Sequence, residues 1–196
     1  MKSLLFRMAC LAFLAILSAS CGTRARNDNK EPLIVEPEQK NDFSDYSLEV
    51  SGLVDKPGIF TYEELVSREK SRKAAALNCV DGWNEEALWE GFRLSDLLYE
   101  LGIDSRANTV IFYARDGFST SLPLNYIMSN NIIMAYKKNG APVQAIFQLV
   151  AEEKWGYKWI KLINKIELSD NKDYQGAYES VGYSIDGDLS KSFRNK

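Results

Sequence analysis

The sequence predicts an α+β domain built on a mixed, mainly antiparallel sheet with short helices. Two pairs of β-rich segments are joined by Asp116-Gly117 and by Asn139-Gly140, dipeptides that favour tight hairpin turns because they tolerate φ > 0. Leucines at 94, 97, 98 and 101 recur at the spacing of one buried helical face. Thr61 with Glu64 three residues later is the signature of a capped helix start.

In chain order, residues 47–50 (Ser-Leu-Glu-Val) alternate as a half-buried strand does. Asp55-Lys56-Pro57-Gly58 is a turn, with Pro presetting φ and Gly permitting its sign change. In the helix that follows, Phe60 at N′ is placed to staple onto Leu65 at N4. The leucine helix ends at Gly102, a residue suited to the position after a helix C-terminus. Residues 109–114 and 118–122 form one hairpin, and 132–136 with 143–150 form a second. Residues 159–168 supply a last strand.

Ahead of this domain, Lys2 and Arg7 precede the apolar run 8–17, which is the pattern of a secretory signal. That run is too short to span a bilayer core, which takes about 20 helical residues. Ser18-Ala19-Ser20 before Cys21 is similar to a bacterial lipobox, although Ser18 stands where Leu is usual. The expected organisation is therefore a signal peptide over 1–20, a lipidated flexible tether over 21–45 with the lipid on Cys21, and the domain over 46–190. The tether reading rests on composition, since few residues between 22 and 45 could bury apolar area against the entropy of ordering. The protein is then exported and held by its lipid at a bacterial cell membrane, on the periplasmic or outer-surface side.

Cleavage before Cys21 discards Cys10 and leaves Cys79 as the one free thiol of the exported chain. A lone cysteine in an oxidising compartment has no disulfide partner, so it is either a small buried apolar residue or a reactive ligand. The chain has no histidine, which excludes Ser-His-Asp and Cys-His catalysis and His-ligated zinc or haem. With 24 basic against 27 acidic side chains, nucleic acid is not an expected partner. The run Lys154-Trp155-Gly156-Tyr157-Lys158-Trp159-Ile160-Lys161 combines cations, aromatics and a glycine that lets backbone amides approach a phosphate. The same run also reads as an ordinary strand with one wet face, and Asn139 is already explained as a turn residue.

Four segments in order resemble the molybdopterin-binding domain of sulfite-oxidase-type oxidoreductases. They are Leu48-Glu49-Val50-Ser51-Gly52 with Lys56-Pro57-Gly58; Asn78-Cys79-Val80-Asp81-Gly82-Trp83 with Trp89-Glu90-Gly91; Asp116-Gly117-Phe118; and Asn139-Gly140 with the 154–161 run. The resemblance covers about residues 46 to 184. It implies a molybdenum-molybdopterin cofactor with Cys79 as the thiolate ligand to the metal, in keeping with the affinity of soft thiolates for redox metals. It also implies that Asn139 and Lys161 contact the pterin and its phosphate, with Lys158 in the same cofactor-binding run. The reaction implied is oxygen-atom transfer on a small substrate. Electrons would pass to a separate protein, because no haem motif is present.

The sequence departs from the family at Gln148, where an arginine is usual, and at Ala114, where some members carry a hydroxyl. Gln148 cannot supply the missing positive charge. The leader also lacks the twin arginines that mark export of folded, cofactor-loaded proteins. These departures keep a second reading open, a cofactor-free binding or assembly module on the same fold at the membrane surface. A redox-sensing thiol ranks below both, since no resolving cysteine lies nearby.

Overall fold

The computed structural model describes residues 43–194, all within one compact unit. The leader, Cys21 and the tether up to residue 42 lie outside the described residues. Ten strands and three short α-helices form in this order: β1 (Ser47–Gly52), β2 (Gly58–Thr61), α1 (Tyr62–Val66), β3 (Lys70–Asn78), β4 (Asn84–Arg93), α2 (Leu94–Leu101), β5 (Thr109–Ala114), β6 (Ser119–Pro123), α3 (Leu124–Ser129), β7 (Ile133–Lys138), β8 (Ala141–Pro142), β9 (Gln148–Val150) and β10 (Ile163–Ser169).

Two sheets result. The first runs β2-β1-β10-β5-β6, and only its β1–β10 pair is parallel. The second runs β3-β4-β7, with β8 and β9 sharing the far edge of β7. The α+β class and the mainly antiparallel pairing are as the sequence predicts. Both sheets feed one core, in which Leu48 and Val50 of β1, Phe112 of β5 and Ile166 of β10 join Trp89 and Phe92 of β4 and Met134 of β7. The leucine face of α2 is buried in full at 94, 97, 98 and 101, as its spacing requires. At α1 the capping box closes both ways, with Glu64 N donating to Thr61 Oγ1 and Thr61 N donating to the Glu64 carboxylate.

The expected strand over 143–150 is broken. After the two residues of β8 the chain leaves the sheet, passes Ile146 at φ +61°, and rejoins β7 as β9. The detour drives Phe147 into the core against the rings of Tyr46, Tyr62, Phe92 and Tyr136, at centroid distances of 5.3 to 6.4 Å. Burying a phenylalanine contributes roughly 1.5–3 kcal/mol, more than a few ladder bonds whose groups find other partners. The expected strand over 159–168 begins four residues late, because Leu162 at φ +56° turns the chain before β10.

Phe43 packs on Tyr62 at 4.6 Å, and Phe193 meets Trp155 edge-on at 5.4 Å.

Candidate cofactor cleft at Cys79

The longest hairpin places Cys79. Strands β3 and β4 pair from Lys70–Phe92 out to Asn78–Asn84, and residues 79–83 close the tip. Cys79 N donates to Trp83 O at 2.8 Å and Gly82 N donates to Cys79 O at 3.1 Å, with Gly82 at φ +89° as the turn demands. A second element pins the tip. Asn78 bridges to Trp155, and Gly156 lies so close that a Cβ there would meet Asn78 O at 3.1 Å and Cys79 Cα at 3.5 Å.

Cys79 is half-buried rather than part of the core, and its Sγ lies 3.7 Å from Asp81 Oδ2. It lines a cleft of about 330 Å³. The hairpin tip contributes Asp81 and Trp83, the β5–β6 turn contributes Asp116 and Phe118, and the 156–161 loop contributes Tyr157, Trp159, Ile160 and Lys161. Tyr178 and Tyr183 complete the wall from the C-terminal segment. Their rings form a cluster with Tyr157, at 5.7 Å for Tyr157–Tyr178 and 4.9 Å for Tyr178–Tyr183. The Tyr157 hydroxyl donates to Ser184 O at 2.8 Å, and burial pushes its phenol pKa up, so it stays protonated.

A second cavity of about 610 Å³ shares Asp116 and Lys161 with the first. Its wall includes Lys138, Gln144 and Gln148. Gln148 is buried at 5 % exposure and bridges to Lys161 through the backbone, and its Nε2 has no hydrogen-bond partner among the described residues. An orphaned buried amide costs about 1–3 kcal/mol unless a ligand accepts from it.

Of the residues singled out from the sequence, the fold brings Cys79 and Lys161 together in one cleft. Lys161 is exposed and its ammonium forms no ion pair with another described residue. Lys158 goes elsewhere. Its side chain is fully buried, donating to Glu179 Oε1 and, at 3.0 Å, to Ser121 O, while Thr120 Oγ1 donates to the same carboxylate oxygen at 2.6 Å. Burial pushes the Lys158 pKa down, and Glu179 opposes that shift. Asn139 stands in the β7–β8 turn at φ +51°, exchanging two hydrogen bonds with the Leu88 backbone, and lines neither cavity.

Tyr178 and Tyr183 are cleft residues outside the segments that carry the resemblance, and Asp116, expected as a turn residue, lines the cleft as well. The signal available for the tyrosines was the run of aromatics after the last strand, at 174, 178, 183 and 193.

The geometry fits a molybdopterin. Among the described residues no group of three or more His, Cys, Asp or Glu side chains is placed to hold a metal ion. A metal at Cys79 therefore needs ligands of its own, as a dithiolene-bound metal has. The adjoining cavity offers a free ammonium and an unpaired amide donor to the rest of such a cofactor.

Comparison with known proteins agrees. Residues 35–178 match the model of the oxidoreductase molybdopterin binding domain, and the chain belongs to that family. The chain is 29 % identical over 152 residues to the uncharacterized oxidoreductase YuiH of Bacillus subtilis, covering 75 % of this chain and 76 % of that one. It is 27 % identical over 177 residues to the protein-methionine-sulfoxide reductase catalytic subunit MsrP of Gluconobacter oxydans, covering 72 % of this chain but only 55 % of that one. The fold is shared with the sulfane dehydrogenase SoxCD of Paracoccus pantotrophus, at a TM-score of 0.63 and 22 % identity over 68 % of this chain and 40 % of that chain. The family's cofactor is molybdopterin, and it is the cofactor of this domain.

Proposed function

We propose that this chain is the molybdopterin-binding module of an oxygen-atom-transferring oxidoreductase, with the Cys79 thiolate as the protein's ligand to molybdenum. The observation that carries the reading is the position of Cys79, at a doubly pinned hairpin tip in a cleft that adjoins a cavity lined by Lys161 and the unpaired amide of Gln148. Bound there, the cofactor supplies a two-electron redox centre. The overall reaction is XO + 2H⁺ + 2e⁻ → X + H₂O or its reverse, with a separate protein as electron donor or acceptor.

The chain's own residues bind and orient. Cys79 would hold the metal, and the hairpin tip that carries it is held by its own turn bonds and by the close approach of Gly156. Lys161 places a positive charge at the junction of the two cavities, where it offsets anionic cofactor groups. Gln148 donates from Nε2 without adding charge. Asp116 is held by the turn, its Oδ1 accepting from Phe118 N at 3.0 Å. The tyrosine wall narrows the access of water to the metal end. Asn139 and Lys158 support this arrangement from outside the cleft.

The leader pattern and Cys21 support export and lipid anchoring, so the module works at a membrane surface. The deciding experiment is elemental analysis of protein purified from its native membrane. Near-stoichiometric molybdenum, lost in a folded Cys79→Ser variant, is the expected result. Well-folded native protein without molybdenum sinks the reading in favour of the cofactor-free module. A fatty-acyl mass increment that disappears in Cys21→Ser checks the anchor.

A further inference from the structure

The Cys79 cleft carries few charges among the described residues. Three charged residues line its cleft: Asp81, Asp116 and Lys161. Asp116 and Lys161 also line the adjoining cavity, on the side assigned above to the cofactor, so both of these charges face that side. The open side keeps Asp81 and, among the described residues, no cation. The nearest guanidinium in sequence, Arg115, is turned away, over the ring of Tyr46 and onto the Asp45 carbonyl. A small inorganic oxyanion would meet no cation there and the like charge of Asp81.

The apolar part of the same wall points the other way. Trp83 and Tyr178 remain 51 % and 38 % exposed at the cleft although each is large and aromatic. Phe118 stands against Tyr178 at 5.8 Å, and Tyr183 backs it at 4.9 Å. Aromatic faces beside carboxylates attract flat apolar groups and organic cations.

We infer that the open half of the Cys79 cleft binds an uncharged or cationic organic molecule through Trp83 and Tyr178, with Asp81 turning inorganic oxyanions away. The inference rests on the oxidoreductase reading for its biological meaning, but binding itself is measurable without turnover.

The test uses the full-chain protein and three probes, methyl phenyl sulfoxide, phenyltrimethylammonium and sulfate, titrated by calorimetry with tryptophan fluorescence reporting on Trp83. The two organic probes bind and sulfate does not. Asp81→Lys weakens the cation about tenfold, as expected for a charge reversal at an exposed site, and changes the sulfoxide by less than about twofold. Trp83→Ala weakens both organic probes by about fivefold. Tyr178→Ala does the same if it folds, and the exposed Trp83 keeps the test decisive if it does not. Sulfate binding as tightly as the organic probes overturns the inference, as does organic binding that ignores both Asp81→Lys and Trp83→Ala. Molybdenum content measured on the same samples separates the two readings. Metal-loaded protein that fails to bind the organic probes defeats only the inference, and metal-free native protein that binds them defeats only the oxidoreductase reading.

Discussion

Lys158 and Glu179 form an ion pair with no exposed side-chain surface on either partner. The pair ties the loop behind Cys79 to the segment that carries Tyr178 and Tyr183, and so fixes one wall of the cleft against another. Glu179 Oε2 has no further partner among the described residues, so the carboxylate depends on Lys158 and Thr120. Lys158→Met then strands a buried charge and destabilises the domain by about 3–5 kcal/mol. The double replacement Lys158→Met with Glu179→Leu removes both charges and recovers most of that loss. Urea unfolding of the two variants beside the native protein checks it. A single replacement that costs nothing would mean the pair is solvated.

Asn139 and Leu88 exchange hydrogen bonds through the Asn139 side chain and backbone, at 2.9 and 2.8 Å, with Asn139 at a positive φ. Asn139→Ala loses the side-chain bond and strains the backbone, for a cost of about 1–3 kcal/mol. Asn139→Gly keeps the conformation and costs less. Molybdenum content is unchanged in both once they are folded. A drop in metal at constant stability, read by thermal melting beside elemental analysis, would return Asn139 to the cofactor.

These two residues mark the boundary of what the sequence discloses. Local signals read correctly wherever the chain decides for itself: the Thr61–Glu64 capping box, the leucine face of α2, and the Asp116-Gly117 and Asn139-Gly140 turns. The β3–β4 hairpin went unread because Lys70–Asn78 is rich in alanine and lysine, residues of low strand preference, and is made a strand by its partner. Lys158 falls in the expected cofactor-binding run because its neighbours in sequence are cations and aromatics. Its partner Glu179 lies 21 residues away and carries no local sign of the pairing. The parallel contact of β1 with β10 is of the same kind, a long-range pairing with no turn to announce it.

Gly156 and Asn78, the residue before Cys79, are close enough for one methyl group to matter. A Cβ at 156 would press on Asn78 O at 3.1 Å and on Leu77 Cδ2 at 3.1 Å, with Cys79 Cα at 3.5 Å. Gly156→Ala therefore shifts the hairpin tip by a few tenths of an ångström, at a stability cost of about 1–3 kcal/mol. On the proposed ligation by Cys79, metal retention falls further than stability does, because the thiol is displaced while the core is untouched. The comparison is metal content after dialysis against the melting temperature of the same preparation. Parallel losses would show that the glycine serves folding alone.

Gln148 offers the sharpest separation between a loaded and an empty site. It occupies a buried position beside Lys161, with an amide donor that no described residue accepts from. Gln148→Arg puts a guanidinium there, in the position where the resemblance places an arginine. Without an anion that charge is buried and poorly paired, and the protein loses about 2–5 kcal/mol. With an anionic cofactor the guanidinium gains a partner, the loss shrinks or reverses, and the cofactor is held more tightly. Melting curves of loaded and cofactor-free Gln148→Arg should move apart relative to the same two states with Gln148. Equal destabilisation of both states would mean that no anionic group of the cofactor reaches position 148.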